Sequence, residues 1–246
     1  MLLKNKRVLI TGGSTGIGRA SVVRCVQEGA RVVFADINED GGKELEERLN
    51  GDGHDVKYVR TDVSKGISVK NMVGLAAAHL GGIDGLLAAA AIANNALVPV
   101  EVFSDEQWLK HVDTNLTGIY YTSKHAAAVM KKGNGGVMVF VASGAGVKSP
   151  SSLVAYGATK GGVHGFGMTL ENQLEKDNIR VNVLCPGNIE TPLKLDIIDQ
   201  QVDQIGSAAD KSSQIKELGD PRGVASIIVF LLSGEADYVR GALFTR

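Results

Sequence analysis

Short apolar segments alternate along the whole chain with longer segments of helical periodicity. Several apolar segments lack alternating polar residues, which is typical of parallel strands covered on both faces. The predicted strands span residues 7–11, 31–36, 55–62, 85–91, 136–143, 179–187 and 241–246. Because strands and helices alternate with short connections, the pattern predicts a doubly wound parallel α/β sheet with helices on both faces.

The predicted helices have recognisable ends, and no linker, repeat or low-complexity segment interrupts the series. Ser104 followed by Gln107 predicts a capping box at a helix start. Gly29, Gly51 and Gly81 stand where three helices should end, since glycine accepts the left-handed conformation that closes a helix. We therefore predict a single domain over residues 1–246.

Composition and charge argue against several classes of partner. The chain carries 26 basic and 27 acidic residues, so no charge excess favours nucleic acid or an anionic membrane surface. No apolar run reaches the roughly 18 residues that span a membrane, and the chain enters its first strand without a signal sequence. Cys25 and Cys185 stand apart among apolar neighbours, which indicates buried thiols in a reducing compartment. We expect a soluble cytoplasmic protein.

A glycine-rich segment, "TGGSTGIGRA", joins the first strand to a helix predicted to open at about Ile17. Gly12, Gly16 and Gly18 allow a tight turn, a close approach of the backbone to a pyrophosphate, and packing of the helix on the sheet. Exposed N–H groups and the positive helix end then bind phosphates. A glycine-rich turn without a ligand is the alternative, but the flanking strand and helix favour a dinucleotide site.

The second predicted strand ends at Asp36, about 20 residues beyond the glycines, where a carboxylate accepts hydrogen bonds from an adenosine ribose. A 2′-phosphate would meet like-charge repulsion there. Neither "GGST" in the glycine loop nor "DIN" at the strand end holds an arginine or lysine to pair with that phosphate. Asp36 could instead cap the following helix. With the glycine loop, it favours NAD over NADP.

Two tyrosine–lysine pairs share a spacing of one helical turn. Tyr156 and Lys160 lie within roughly 40° of one apolar helical stripe, whereas Lys124, which follows Tyr120, lies roughly 110° from the centre of its stripe. A lysine on an inward stripe is costly unless something pairs with it or uses it. The pattern therefore assigns chemistry to Tyr156 and Lys160, and predicts that Lys124 is solvated.

Further residues point to the same site. Ser143 closes a buried strand at the carboxyl edge, where open α/β sheets bind ligands, and the helix of Tyr156 follows within a short loop. The five histidines form no metal-ligand group with cysteine or carboxylate, so we predict no metal site.

The chain resembles the single-domain short-chain dehydrogenases/reductases over essentially its whole length. The resemblance lies in the combination and order of "TGGSTGIG", Asp36, Asp62–Val63, Asn115, Ser143, "YGATK" and "PGNIET". The resemblance implies a Rossmann fold and reversible hydride transfer between a nicotinamide cofactor and a carbonyl or secondary alcohol. It implies a homodimer or homotetramer with a small-molecule alcohol or ketone as substrate.

The resemblance also implies residue roles. Tyr156 would be the acid/base, Ser143 would hold the substrate oxygen, and Lys160 would bind the nicotinamide ribose. Asn115 would keep a water in a proton relay to Lys160, although it could merely satisfy backbone groups beside a bend in its helix. Besides Tyr156 and Lys160, the implied cofactor-binding residues are Gly12, Ser14, Thr15, Gly16, Ile17, Gly18, Asp36, Ile37, Asp62, Val63, Pro186, Gly187, Ile189 and Thr191.

The chain departs from the family pattern in two places. Ala88, Ala89, Ala90 and Ala91 replace the usual Asn-Asn-Ala-Gly at the end of the fourth predicted strand, so no amide there can tie the strand to its neighbours. The segment after "YVRGALFTR" that members usually place at a subunit interface is absent from the sequence.

The substrate is not named by these motifs. A loop at about 188–215 and the segment after Ser143 should build its pocket, with Lys148 or Lys194 as the cations that could meet an anionic group. Two alternative functions stay open: a 3-oxoacyl reductase that uses NADPH, and a catalytically silent dinucleotide-binding protein.

Overall fold

One seven-stranded sheet organises the parts of the chain that the computed structural model describes, residues 1–94, 97–205 and 208–245. All strand pairs are parallel, and the spatial order is β3-β2-β1-β4-β5-β6-β7. The strands are β1 (Arg7–Thr11), β2 (Arg31–Asp36), β3 (Val56–Arg60), β4 (Gly85–Ala88), β5 (Gly136–Val141), β6 (Ile179–Cys185) and β7 (Gly241–Phe244). The predicted doubly wound α/β sheet is confirmed.

Helices connect the strands and cover both faces of the sheet. They are α1 (Gly16–Gln27), α2 (Glu39–Gly51), α3 (Gly66–Leu80), α4 (Asp105–His111), α5 (Gly118–Met130), α6 (Val154–Leu174), α7 (Pro192–Ile205), α8 (Ala208–Lys216) and α9 (Pro221–Leu232). Short 3₁₀ segments lie at Val100–Val102, Glu175–Asp177 and Gly234–Ala236, and a π-helical segment, Val112–Thr117, joins α4 to α5. Within the described residues no helix is long and apolar enough to cross a membrane.

Two apolar cores follow from the alternation of side chains along the strands. Val8 and Ile10 of β1 face a core built with α1, α2 and α9, whereas Leu9 faces a core built with α3, α5 and α6. Cys25 and Cys185 are unpaired and buried, one in each core, as the sequence predicts. The central strands β1, β2, β4, β5 and β6 are thus covered on both faces, which explains their apolar composition.

Local sequence signals explain several element ends. The Ser104 side chain accepts a hydrogen bond from the Gln107 N–H at 3.2 Å and so caps α4, as predicted. Gly29 and Gly81 adopt left-handed conformations after α1 and α3, with φ of 86° and 76°. The second helix, α2, ends at Gly51 as predicted, and the left-handed glycine that follows it is Gly53, with φ of 84°.

The largest error in the predicted strands concerns β4, which ends at Ala88 rather than at residue 91. Pairing with β1 stops where Thr11 opposes Ala88, and the chain then turns toward the glycine loop. The order of strands reverses at this place, because β1 is followed on one side by β2 and on the other by β4. Such a reversal leaves a crevice at the carboxyl ends of the strands, where ligands bind in open α/β sheets.

Candidate active site

A cavity of about 550 Å³ opens at this reversal of strand order. One end is formed by the glycine loop and the ends of β2 and β3, and the other by the residues after β5 and β6 together with α6 and α7. Of the predicted cofactor-binding residues, the cavity is lined by Gly12, Thr15, Gly16, Ile17, Gly18, Asp36, Ile37, Asp62, Val63, Tyr156, Lys160, Pro186, Gly187, Ile189 and Thr191. The glycine loop and Asp36 thus share one cavity with Tyr156 and Lys160, as a nicotinamide dinucleotide site requires.

The glycine loop is shaped by close contacts that exclude side chains. Gly12 has φ of 73°, and a Cβ there would lie 2.7 Å from the Ala90 Cα. A Cβ on Gly18 would overlap the carbonyl oxygen of Gly12. Thr15 precedes α1 without making a side-chain capping bond, so the first N–H groups of α1 are left for a ligand at the cavity wall. These features fit a nicotinamide dinucleotide, whose diphosphate the helix end would hold.

Asp36 is held as an oriented carboxylate at the same end of the cavity. Its Oδ2 accepts a hydrogen bond from the Ser14 N–H at 2.9 Å, and its Oδ1 accepts one from the Asn38 N–H at 3.0 Å. The N-cap of α2 is Asn38, whose side chain accepts from the Gly41 N–H, so the capping alternative for Asp36 is wrong. Each carboxylate oxygen keeps capacity for a further hydrogen bond.

Ser14 lies behind the cavity rather than in its wall. Only 2% of its surface is exposed, and its hydroxyl donates to the Asn38 carbonyl oxygen at 3.2 Å. Its contribution in this structure is the N–H that orients Asp36.

Tyr156 and Lys160 lie one turn apart on α6, and both line the cavity. The Lys160 side chain is only 2% exposed, its Nζ donates to the Val141 carbonyl oxygen at 2.8 Å, and Nζ is 5.6 Å from the centre of the Tyr156 ring. Burial lowers the pKa of Lys160 to about 8. The other pair differs as predicted, because Tyr120 is 43% exposed, Lys124 is exposed, and neither lines the cavity.

Ser143 meets Tyr156 at the carboxyl end of β5. Burial raises the pKa of Tyr156, and a hydrogen bond between the Ser143 and Tyr156 side chains acts in the opposite direction. The Ser143 Oγ also accepts from the Ala145 N–H at 3.1 Å, which fixes the hydroxyl in the wall. Beneath it, the Ser143 N–H donates to the sulfur of Cys185, and burial raises the pKa of that thiol, so it stays neutral beside Lys160.

Asn115 is fully buried in the π-helical segment and does not line the cavity. Its Oδ1 accepts from the Ile92 N–H at 2.8 Å, and its Nδ2 donates to the Ile92 carbonyl at 2.9 Å and to the Thr159 Oγ1 at 3.1 Å. Both amide hydrogens are therefore used, and the side chain satisfies backbone groups beside a helix irregularity. The relay role of Asn115 stays a prediction.

Two groups of this site escaped the sequence reasoning. Thr159 of α6 is 1% exposed and connects Asn115 to the backbone of Tyr156, since its hydroxyl donates to the Tyr156 carbonyl at 2.9 Å. The Val141 carbonyl that receives Lys160 is a backbone group, which leaves no signal in side-chain patterns. Thr159 could have been singled out only as a polar residue beside Lys160 in a helix that is otherwise rich in small residues.

Comparisons with known proteins agree with this geometry. Residues 6–202 match the family model of the short chain dehydrogenases. An uncharacterized oxidoreductase of Thermotoga maritima is 33% identical over 99% of this chain and 94% of its own length. The 3-oxoacyl-[acyl-carrier-protein] reductase FabG of Chlamydia muridarum is 31% identical over 99% of this chain and 96% of its own length.

A solved structure has the same fold over nearly the whole chain. The crystal structure of levodione reductase superimposes with a TM-score of 0.92 at 28% identity, over 98% of this chain and 96% of that one. Fold, site geometry and relatives coincide over nearly the whole chain. The protein therefore belongs to the short-chain dehydrogenase/reductase family of oxidoreductases, which bind a nicotinamide dinucleotide.

Proposed function

We propose that the protein is an NAD-dependent oxidoreductase that interconverts a secondary alcohol and a ketone. The observation that carries the proposal is the meeting of the Ser143 and Tyr156 hydroxyls beside the buried Lys160 ammonium, at the end of the cavity opposite Asp36. The nicotinamide, when bound, supplies or accepts the hydride. Everything else in the reaction concerns a proton and an oxygen atom, which these side chains manage.

Tyr156 is the proton donor and acceptor in this proposal. Because burial raises its pKa, the phenol is protonated at neutral pH and can donate its proton to a ketone oxygen. Ser143 donates a hydrogen bond to the same oxygen and holds it beside the phenol. In the reverse direction the alcohol proton passes to the phenolate of Tyr156, which is stabilised by the Lys160 ammonium, 5.6 Å from the centre of the ring. Asn115 is proposed to keep a water that connects Lys160 to solvent.

The proposed preference for NAD rests on Asp36. Two backbone N–H groups orient its carboxylate, so it is ready to accept hydrogen bonds from the ribose hydroxyls. Nearby arginines are engaged elsewhere, since Arg19 pairs with Glu44 and Arg60 with Glu39. A 2′-phosphate would therefore meet a carboxylate and gain no cation in exchange.

A 3-oxoacyl reductase that uses NADPH is the second candidate, and the similarity to the Chlamydia muridarum enzyme favours it. Asp36 opposes it, because the 2′-phosphate of NADPH would lie beside a carboxylate. Parallel assays with NAD and NADP, using secondary alcohols, ketones and 3-oxoacyl thioesters, separate the two. Turnover restricted to NADP and oxoacyl thioesters would replace the first proposal with the second.

Tyr156→Phe tests the catalytic assignment. Loss of the phenolic proton should lower kcat by at least about 10²–10⁴-fold, because general acid–base catalysis is commonly worth that much. Cofactor binding, followed by fluorescence titration, should survive. Tyr120→Phe is the matched control, since that exposed ring lies outside the cavity, and it should keep the wild-type rate. Near-normal turnover in Tyr156→Phe contradicts the assignment.

A homodimer or homotetramer is proposed because several large apolar side chains are exposed in the Val100–Val102 segment and on α4 and α5. They are Val100, Val102, Trp108, Leu109 and Tyr120. Val100 and Val102 are 71% and 67% exposed, which is unusual for neighbouring valines unless another surface covers them.

A further inference from the structure

Lys194 differs from the other cations of the cavity. It is the third residue of α7, it is half-buried, and it lines the cavity. Burial lowers its pKa, and no carboxylate within the described residues forms an ion pair with it. The ammonium of Lys160, by comparison, donates a hydrogen bond to the Val141 carbonyl. A partly desolvated ammonium without a counter-charge is unfavourable, so a bound anion would relieve it.

The backbone under Lys194 is fixed in the wall. Its N–H donates to the Thr191 Oγ1 at 3.2 Å, and the Leu195 N–H donates to the Thr191 carbonyl at 2.9 Å. Lys194 shares one side of α7 with Ile197 and Gln201, which stand one and two turns further along and also line the cavity. The side of α7 that carries Lys194 is therefore a side that faces the cavity.

That side of α7 borders the substrate end. Ile197 packs with Leu153 in a small apolar cluster to which Tyr156 and Leu193 also belong. Gln201 Nε2 donates to the Ser152 Oγ at 3.4 Å, in the loop between β5 and α6. Ile197 and Gln201 thus contact the surroundings of the proposed proton donor, whereas the first residue of this helix, Pro192, lies beside Gly16 at the start of α1, where the cofactor diphosphate is expected.

The distribution of charge across the cavity points the same way. Its acidic lining residues within the described chain are Asp36, the last residue of β2, and Asp62, two residues after β3. Lys194 follows β6, and four strand spacings of about 4.8 Å separate β2 from β6, or roughly 19 Å. The substrate end therefore carries positive charge that no acidic side chain of the cavity wall neutralises.

We propose that Lys194 binds an oxyanion of the substrate, a carboxylate or a phosphate ester, and that the protein acts on anionic secondary alcohols or ketones. This inference rests on the proposed function, since it places the anion on the molecule whose carbinol meets Tyr156. Lys148, the other lysine considered from the sequence, is excluded because it is exposed, lies 5.7 Å from the Phe244 ring, and does not line the cavity.

The test is a kinetic comparison of matched substrates. The substrates are hydroxycarboxylates of increasing chain length and hydroxyalkyl phosphates. Each is paired with a neutral analogue that has a carboxamide in place of the carboxylate or a methoxy group in place of the phosphate. All are assayed with wild type, Lys194→Met, Lys194→Arg and Lys148→Met. We expect kcat/KM for the best anion to fall at least about tenfold in Lys194→Met, with the neutral partner changed less than about twofold. Lys194→Arg should restore most of the loss, and Lys148→Met should match wild type.

A second arm separates the substrate from the cofactor as the source of the anion. The dissociation constant of NAD, from fluorescence titration, should be the same in wild type and Lys194→Met. A loss that falls on NAD binding instead would assign Lys194 to the diphosphate and overturn the proposal. Equal kcat/KM for charged and neutral partners in wild type would overturn it while leaving the proposed function standing. Absence of turnover with every alcohol and ketone, charged or neutral, would refute both.

Discussion

The burial of Lys160 has a measurable cost in stability. Only 2% of the side chain is exposed, and burial lowers the pKa of Lys160 from 10.5 to about 8. At about 1.4 kcal/mol per pKa unit, the charged form is disfavoured in the folded state by about 3 kcal/mol relative to the unfolded chain. The hydrogen bond from Nζ to the Val141 carbonyl survives deprotonation, because a neutral amine can also donate.

Lys160→Met removes the charge and keeps most of the apolar stem. At pH 7 we expect the variant to be more stable than wild type by about 2 kcal/mol, since the relief of about 3 kcal/mol is offset by about 1 for the lost hydrogen bond. Between pH 8 and pH 10.5 the unfolded wild type keeps a proton that the folded protein has lost. Wild-type stability therefore rises with pH relative to the variant. By pH 10.5 the difference should reverse to about 1 kcal/mol in favour of wild type.

Urea titrations of both proteins without cofactor, at several pH values over this interval, measure the difference in the free energy of unfolding. Titrating groups that do not interact with Lys160 cancel in that difference, which leaves Cys185, whose pKa the Lys160 charge lowers, as a coupled group. Lys124→Met is the matched control, because this lysine is exposed on α5 and its substitution should change the free energy of unfolding only slightly. If the difference for Lys160→Met did not change with pH, the pKa of Lys160 would be the same in the folded and unfolded states. That result would refute the argument that burial disfavours the ammonium.

Two further predictions concern the cofactor end. Wild type should prefer NAD over NADP by at least about 10²-fold in kcat/KM, or about 2.7 kcal/mol. Asp36→Ala should reduce that preference. A reversed preference, for NADP, should need Ile37→Arg as well, because removing a repulsion supplies no partner for the phosphate. Equal use of both cofactors by wild type would contradict the role of Asp36. Gly18→Ala should lower the thermal midpoint and abolish cofactor binding, since its Cβ would overlap the Gly12 carbonyl oxygen. Gly165→Ala, where a Cβ meets nothing within 4 Å, should instead stabilise by up to about 1 kcal/mol.

The sequence was sufficient for features that depend on periodicity along one element. The inward placement of Lys160 and the solvated placement of Lys124 both follow from angles around a helix, and the structure has both. The end of β4 was missed because alanine neither breaks a strand nor marks one, and pairing with β1, a distant segment, decides where the strand stops. The partners of Asn115 were also out of reach, since they come from two other elements.

The end of β4 and the alanines that follow it carry no amide side chains. Backbone contacts hold this strand end in their place. Ala89 N–H donates to the Thr11 carbonyl at 3.2 Å, and Gly12 lies so close that a Cβ on it would be 2.7 Å from the Ala90 Cα. Beyond the alanines, the Asn115 amide engages both the N–H and the carbonyl of Ile92. Side chains larger than alanine are not needed to fix this segment.

The same amide has a second consequence for the site. Nδ2 of Asn115 also donates to Thr159, and Thr159 donates to the Tyr156 carbonyl, so the chain leaving β4 is connected to the first turn of α6 through two side chains. Because Asn115 is fully buried and Thr159 is 1% exposed, water does not compete for these hydrogen bonds. The segment that borders the glycine loop and the helix that carries Tyr156 are thereby fixed relative to one another. A positioning role of this kind for Asn115 requires no water relay, and it is compatible with one through the acceptor capacity that Oδ1 retains.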